Sequence, residues 1–303
     1  MGRSYFLDRD LLVSKDDSIY VVIGNAHPMG YALAYLKYVR GRGPWRGYKR
    51  TLRKYGVRNL LSSPQRMEFE PCYDVSFPFL PVSQVKRHLL PEEGLEELLR
   101  KPAGPQGEAL MTLVSTLGAM GLGVTGSMLS GTFHSRSDVD LLVYGCRRSM
   151  EVMEDFKGFQ EDLSWVEKAS RTYGLSIEEA RSLYDVRRRG RIGGVGYSVN
   201  FVDDRPKRYC FKVCRRVGEQ EIWATLRGNC EALFYPAEVN MEQAEVVRGP
   251  SLIPTKVISY ESVYSPLLFI EEKLRIRGML MDCEGELQLL VGDREVPGYV
   301  KKM

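Results

Sequence analysis

Acidic residues are missing from a long early stretch. Between Ser18 and Met67 the chain has no Asp or Glu, yet it carries Lys37, Arg40, Arg42, Arg46, Lys49, Arg50, Arg53, Lys54, Arg58 and Arg66. Long apolar runs are missing too. No segment approaches the ~20 consecutive apolar residues of a membrane-crossing helix. The first residues lack the apolar centre of a secretion signal, and Phe6 breaks the simple myristoylation pattern. There is no internal repeat and no low-complexity tail. The expectation is a cytoplasmic protein.

Histidine is scarce, with three in the chain, and cysteine is dispersed at positions 72, 146, 210, 214, 230 and 283. With no secretion signal, the cysteines read as reduced thiols. Cys210 and Cys214 are the only close pair. They supply at most half a zinc site, and two thiols on one strand face is the simpler reading. His27, before Pro28, and His134, in a polar loop, read as structural rather than catalytic.

What is present fits an ordinary globular chain: 303 residues, 44% hydrophobic and 27% charged. That length suggests two or three domains. The net charge of +4 is unevenly spread. Outside the early basic block and the first 17 residues, 30 basic groups face 35 acidic ones. The block therefore needs its own explanation. Its charges alternate with Tyr20, Tyr31, Tyr35, Tyr38, Trp45, Tyr48 and Tyr55. Cations suit a phosphate backbone and aromatics stack on unpaired bases, so a nucleic-acid partner is expected, RNA before DNA. Arg187, Arg188, Arg189 and Arg191 would extend such a track.

Turn chemistry divides the chain. Residues 4–24 read as two strands around Lys15-Asp16-Asp17-Ser18, and 31–39 as a strand or short helix. Residues 82–99 look helical, with Pro91-Glu92-Glu93 as a Pro-first, acid-first start. Lys101-Pro102-Ala103-Gly104-Pro105 reads as a linker. The expected domains are 1–105 (basic, α+β), 106–225 (catalytic) and 226–303 (β-rich). In the middle, 108–120 is helical, 122–125 a buried strand, 128–133 a short helix and 139–144 a second strand. Residues 149–189 read as helical, with a capping box at Ser176-Ile177-Glu178-Glu179. The helical hairpin at its centre resembles a helix-turn-helix superficially, but packing on a sheet is the better reading. Residues 197–202 and 209–213 read as strands paired across Asp203-Asp204-Arg205-Pro206. The tail reads as strands at 257–260, 267–270, 274–281 and 286–291, giving an added sheet or small barrel.

The most informative segment lies between the two central strands. Gly126-Ser127 follows one of them, and Asp138-Val139-Asp140 opens the other. Glycine allows backbone N–H groups to approach a phosphate closely, and Ser127 adds a hydroxyl. Asp138 and Asp140 alternate along a strand and so share one face, where two carboxylates can hold divalent metal. On these residues the chain resembles the DNA polymerase β-like nucleotidyltransferase superfamily. Its signature is Gly-Ser, a short helix, then Asp-hydrophobic-Asp. A looser likeness, through His27-Pro28 and Asp140-Leu141-Leu142-Val143-Tyr144-Gly145, extends to an archaeal nucleotidyltransferase-domain branch.

The resemblance implies an α+β fold: a palm of mixed sheet with helices behind, a basic N-terminal α+β domain and a β-rich C-terminal region. It also implies transfer of a nucleoside monophosphate from an NTP to an acceptor. Mg²⁺ or Mn²⁺ would bind Asp138 and Asp140, and Gly126 and Ser127 would grip the triphosphate. The superfamily usually adds a third carboxylate from a neighbouring strand. Here the matching position falls on Asn200, which cannot act as an acid's substitute. Asp203 and Asp204 remain as alternatives. A catalytically silent RNA- or ribonucleoprotein-binding factor is the competing expectation.

Overall fold

A computed structural model describes residues 3–52, 56–61 and 63–302. The elements begin with β1 (Leu11–Ser14), β2 (Ile19–Val22), β3 (Tyr31–Arg40), β4 (Tyr48–Arg50), α1 (Val57–Leu61), β5 (Met67–Glu70), β6 (Val75–Pro81) and β7 (Val85–Leu89). The central elements are α2 (Pro91–Arg100), α3 (Gly104–Leu117), β8 (Leu122–Val124), α4 (Gly126–Leu129), β9 (Val139–Tyr144), α5 (Cys146–Asp155), α6 (Ser164–Tyr173), α7 (Ile177–Ser182), β10 (Arg189–Ile192) and β11 (Val195–Val202). Last come β12 (Cys214–Arg227), β13 (Ala237–Arg248), β14 (Lys256–Ser259), α8 (Ser265–Phe269), β15 (Lys273–Cys283), β16 (Glu286–Val291) and β17 (Tyr299–Lys302).

The chain forms two compact units that interleave in sequence. The first holds Met1–Arg53, Phe79–Ser164 and Asp185–Lys207; the second holds Lys54–Pro78, Trp165–Tyr184 and Arg208–Met303.

The first unit contains two sheets. In one, β6, β3, β2, β1 and β7 are neighbours in that order, and β4 also pairs with β3. Successive residues of β1 point to opposite faces. Leu11 and Val13 pack with Ile19, Val21 and Tyr38, whereas Leu12 packs with Val22, Ala32, Ala34 and Leu80. Both faces are therefore covered, and all of β1 is buried. The Asp16 carboxylate closes the β1–β2 turn by accepting from the Ser14 and Ser18 hydroxyls. Residues 31–39 resolve as strand. Residues 82–99 divide into a short 3₁₀ turn, β7 and then α2, whose Pro91 start is as the sequence implies.

The second sheet runs β10-β11-β9-β8, with β11 parallel to β9 and the other pairs antiparallel. Val139, Leu141, Leu142 and Val143 are fully buried in it, and every residue of β11 is buried.

In the second unit, β12, β13, β14, β16 and β15 follow one another, and β12 pairs back to β15 to close a barrel; β17 adds to β15. Its core is built from Ile222, Ala224, Leu226, Val239, Val257, Leu274, Ile276, Leu289 and Val291. Trp165, Tyr173, Leu175 and Leu183, from the α6–α7 hairpin, pack against that core. The capping box forms as expected: Ser176 Oγ accepts from Glu179 N–H, and the Glu179 carboxylate accepts from Ser176 N–H. Residues 267–270, expected as strand, lie instead mainly in α8, where Pro266 stands at the helix start.

These findings correct the expected fold. The α+β polymerase β-like palm, with helices behind a mixed sheet, is not what forms. The chain is mostly β, with 38% strand against 24% helix, and it contains a closed barrel of 5 strands. The physical reason lies in 149–189. The sequence predicts helices over that stretch, with the hairpin at its centre packed on a sheet. It breaks into α5, α6 and α7, and the α6–α7 hairpin buries its apolar side on the barrel core. The N-terminal region likewise puts its apolar residues into sheet rather than into an α+β domain.

The thiol reading is also corrected. Cys72 pairs with Cys210, Cys214 pairs with Cys283, and no cysteine is free. Cys214 and Cys283 are direct cross-strand partners in the β12–β15 ladder, with Cα atoms 4.0 Å apart. Strand register, invisible in sequence spacing, brings them together. Residues 209–213 form no strand beside β11; Cys210 has a positive φ of 52° and is held by its bridge to Cys72. No helix among the described residues is long and apolar enough to cross a membrane.

Candidate active site

β8 and β9 are antiparallel neighbours, so the turn after β8 comes up beside the start of β9. Thr125 N–H donates to the Asp140 carbonyl at 2.9 Å, fixing the turn to the strand. Its hydroxyl donates to the Arg9 carbonyl at 2.7 Å, fixing it to the N-terminal segment as well. Gly126 follows with φ of +68°, a conformation L side chains rarely hold. A Cβ at this position would run into Asp140 Oδ2. The glycine is therefore required twice, by its backbone angle and by the carboxylate packed against it.

Ser127 is buried, and its carbonyl accepts from the N–H groups of Thr132 and Phe133 at 2.9 and 3.1 Å. These bonds curl residues 127–133 into a tight loop. α4 is a single turn of four residues. It is too short for a useful macrodipole. The Ser127 hydroxyl is bonded to no described residue.

Asp138 is exposed, and its carboxylate lies over Gly196, where a Cβ would collide with Oδ1. Asp140 is half-buried. Both carboxylates come from alternate positions at the start of β9, on one face. Gln106 of α3 holds the loop that leads to them. Its amide donates to the carbonyls of His134 at 3.4 Å, Ser135 at 2.9 Å and Ser137 at 3.4 Å. A buried glutamine in the first turns of an apolar helix was the available sequence signal for this role.

The neighbouring strand supplies hydroxyl and amide, not acid. In the parallel β9–β11 ladder Ser198 stands opposite Asp140, and Asn200 stands opposite Leu142. Ser198 Oγ donates to Asp140 Oδ1 at 2.6 Å, and Asn200 Nδ2 donates to Ser198 Oγ at 3.0 Å. Ser198 thus occupies the place nearest Asp140, a residue the sequence pattern passed over for Asn200. Asp203 and Asp204 do not reach it. Five positions along a strand span ~16 Å. Asp203 accepts from Arg205 N–H at 3.2 Å, and Asp204 lies beside Gly145 beyond the far end of β9.

The carboxylates set a limit on metal. Among the described residues no group of three or more His, Cys, Asp or Glu could hold an ion. Asp138 and Asp140 alone fit one Mg²⁺ completed by phosphate oxygens and water. The strand beside them adds Ser198 and Asn200 and no third carboxylate.

Part of the basic block lies in the same unit. The β3–β4 hairpin brings Arg46 over the Phe133 ring, 4.6 Å from its centroid, and Trp45 to within 6.0 Å of the His134 ring. Arg40, Arg42, Arg46 and Lys49 are exposed, and Arg50 is half-buried. Lys37 is buried, with Nζ over the Tyr38 ring, and leaves the surface track. Arg53 and Lys54 lie outside the described residues, as does the side chain of Arg58. Tyr35, Trp45 and Tyr48 pack partly on the sheet core, so they have less free face than the sequence suggested. Of the second arginine group, Arg187 is bound to Asp185 and Arg191 to Asp162.

Comparisons with protein-family profiles, curated proteins and solved structures returned no match.

Proposed function

We propose that this chain transfers a nucleoside monophosphate from an NTP to a nucleic-acid acceptor, RNA in the first instance. The observation that carries this reading is the contact of Gly126 with Asp140 beside an uncommitted Ser127 hydroxyl. It sets a positive-φ glycine beside the Asp140 carboxylate, with the Ser127 hydroxyl next in the chain and Asp138 two positions before Asp140. Asp138 and Asp140 would hold a single Mg²⁺ or Mn²⁺, which neutralises the triphosphate charge when bound. Gly126 and Ser127 would hold phosphate oxygens. Ser198 fixes the Asp140 carboxylate so that Oδ2 stays turned toward Gly126. The exposed cations of the β3–β4 hairpin would carry the acceptor strand, with Arg46 nearest the site loop. A cytoplasmic setting belongs to this reading, since NTP and RNA are found there. Disulfides then call for a cytosol that tolerates them, as in hyperthermophilic archaea.

The test incubates pure protein with each labelled NTP, Mg²⁺ or Mn²⁺, and total RNA. Labelled RNA that disappears in Asp138→Ala/Asp140→Ala supports the reading. Equal labelling by that variant removes it. A second reading, a silent RNA-binding factor, is favoured by one observation: Ser198 and Asn200 stand where an acid would take the acceptor's proton. Salt-dependent RNA retention without product would select it.

A further inference from the structure

Arg188 lies in the turn before β10, and its carbonyl accepts from Val199 N–H at 2.8 Å, which pins its backbone to β11. Its guanidinium stacks over the Phe201 ring, 5.7 Å from the centroid. Nη1 is shut off from water and has no hydrogen-bond partner. No carboxylate among the described residues pairs with this side chain. Asp185 is the nearby acid, but Arg187 already forks it, with Nη2 at 2.7 Å and Nε at 3.0 Å, and spends Nη1 on the Met153 carbonyl.

Three arginines surround it, of which Arg9 pairs with Asp8 at 3.4 Å and Arg187 with Asp185 at 2.7 Å. Burial, then Arg189, Arg9 and Arg187, push the Arg188 guanidinium down to about 9, against the pull of Asp185. It still carries its charge at neutral pH. Arg188 is half-buried, but a charged donor such as its Nη1, sealed without an acceptor, is costly, and such groups are usually found with an anion or a ligand. Arg189, next in the chain, stands opposite Ser198, the residue that donates to Asp140. Arg188 is therefore one position from the strand pair that carries the candidate site.

We infer that Arg188 is a phosphate-binding residue, and that its occupant is a phosphate group of a nucleotide or of free inorganic phosphate. A guanidinium has a planar fork of donors that matches a tetrahedral oxyanion. This does not depend on transfer chemistry.

The test follows thermal midpoints in a phosphate-free chloride buffer, with added orthophosphate, tripolyphosphate, ATP, or a single-stranded RNA lacking terminal phosphates. In the native chain one or more of the first three raises the midpoint, and the rise grows with concentration. Tripolyphosphate and ATP acting alike point to the phosphate chain; orthophosphate acting equally well points to a single phosphate. Arg188→Met weakens the response about tenfold or more, by the scale of a charged hydrogen bond. Arg188→Lys, which keeps the charge and loses the fork, weakens it less and serves if the Met variant fails to fold. Arg187→Met, which breaks the Asp185 pair, lowers the midpoint and keeps the response. Orthophosphate protection is also read in Asp138→Ala/Asp140→Ala: loss of that protection there, with Arg188 intact, assigns the phosphate to the carboxylate site and overturns the inference. The inference is overturned if no phosphate species protects the native chain, if Arg188→Met and Arg188→Lys respond like it, or if the RNA alone depends on Arg188.

Discussion

Ser198 donates its hydroxyl to Asp140 at 2.6 Å across a parallel strand pair, and receives the Asn200 amide in turn. This chain of bonds satisfies buried polar groups and fixes one of the two candidate metal ligands. Ser198→Ala removes the middle of it and leaves a buried amide without its acceptor. The expected loss is about 1–3 kcal/mol, measured by urea unfolding. Ser198→Asp is the more informative change. It places a third carboxylate against Asp140, so the variant should be less stable than the native chain in EDTA and should regain stability with Mg²⁺. A variant indifferent to Mg²⁺ would show that the carboxylates do not converge on one ion.

Gly126→Ala meets two obstacles at once, a φ of +68° and the Asp140 carboxylate. It should cost about 1–3 kcal/mol. NTP binding, followed by titration with a fluorescent analogue, should fall with it. Gly131→Ala is the control. It has the same φ of +68° with open space around it, so it carries the strain without the collision. Equal NTP affinity in the two variants would remove Gly126 from the binding site.

The bridge between Cys214 and Cys283 closes a loop of 69 residues within the barrel. Cys214→Ala/Cys283→Ala should lower stability by about 2–5 kcal/mol. Alkylation of the unfolded, unreduced chain should label no cysteine. Labelling of all six would restore the reduced-thiol reading of the sequence.

Local signals in the sequence carried over where they depend on a few neighbouring residues. Pro91 starts α2, Ser176 and Glu179 cap α7, and the Asp16 turn joins β1 to β2. The Gly126 and Asp140 positions also converge, because both flank adjacent strands. What could not be read depends on long-range pairing. Ser198 became visible as the partner of Asp140 only through the β9–β11 register. Cys214 met Cys283 through the β12–β15 register. The α6–α7 hairpin has an apolar side that would suit any apolar surface, and periodicity does not say which sheet receives it. Residues 265–269 show the same limit, since a short apolar run suits helix and strand equally.

The exposed cations of the β3–β4 hairpin give a salt-dependence prediction. Replacing Arg42, Arg46 and Lys49 together by Ala should weaken RNA retention. If each neutralises one phosphate, the slope of log affinity against log salt becomes shallower by about 2, at roughly 0.7 per single-strand phosphate. A filter-binding salt series measures it. An unchanged slope would place the nucleic-acid surface elsewhere.

The last prediction concerns pH. Asp8 is buried, accepts from Gly24 N–H at 2.8 Å, and burial lifts its carboxyl to about 6, although Arg9 opposes the shift. His27, in the same unit, is lowered by burial to about 4, against the pull of Asp10. The two act in opposite directions. From pH ~4 to 6 the folded Asp8 keeps a proton that the unfolded chain has released, so stability falls as pH rises. From pH ~6.5 down to 4 the unfolded chain protonates His27 and the folded chain does not, so stability falls as pH falls. Each shift of about two units corresponds to roughly 3 kcal/mol, and between pH 4 and 6 they should largely cancel. Asp8→Asn removes one side of that balance. Its stability should drop steeply as pH falls from about 6 to 4, whereas the native chain changes little in the same window. Urea unfolding across that range measures both. Parallel pH profiles would mean that Asp8 is ionised in the folded chain, held by Arg9 despite its burial.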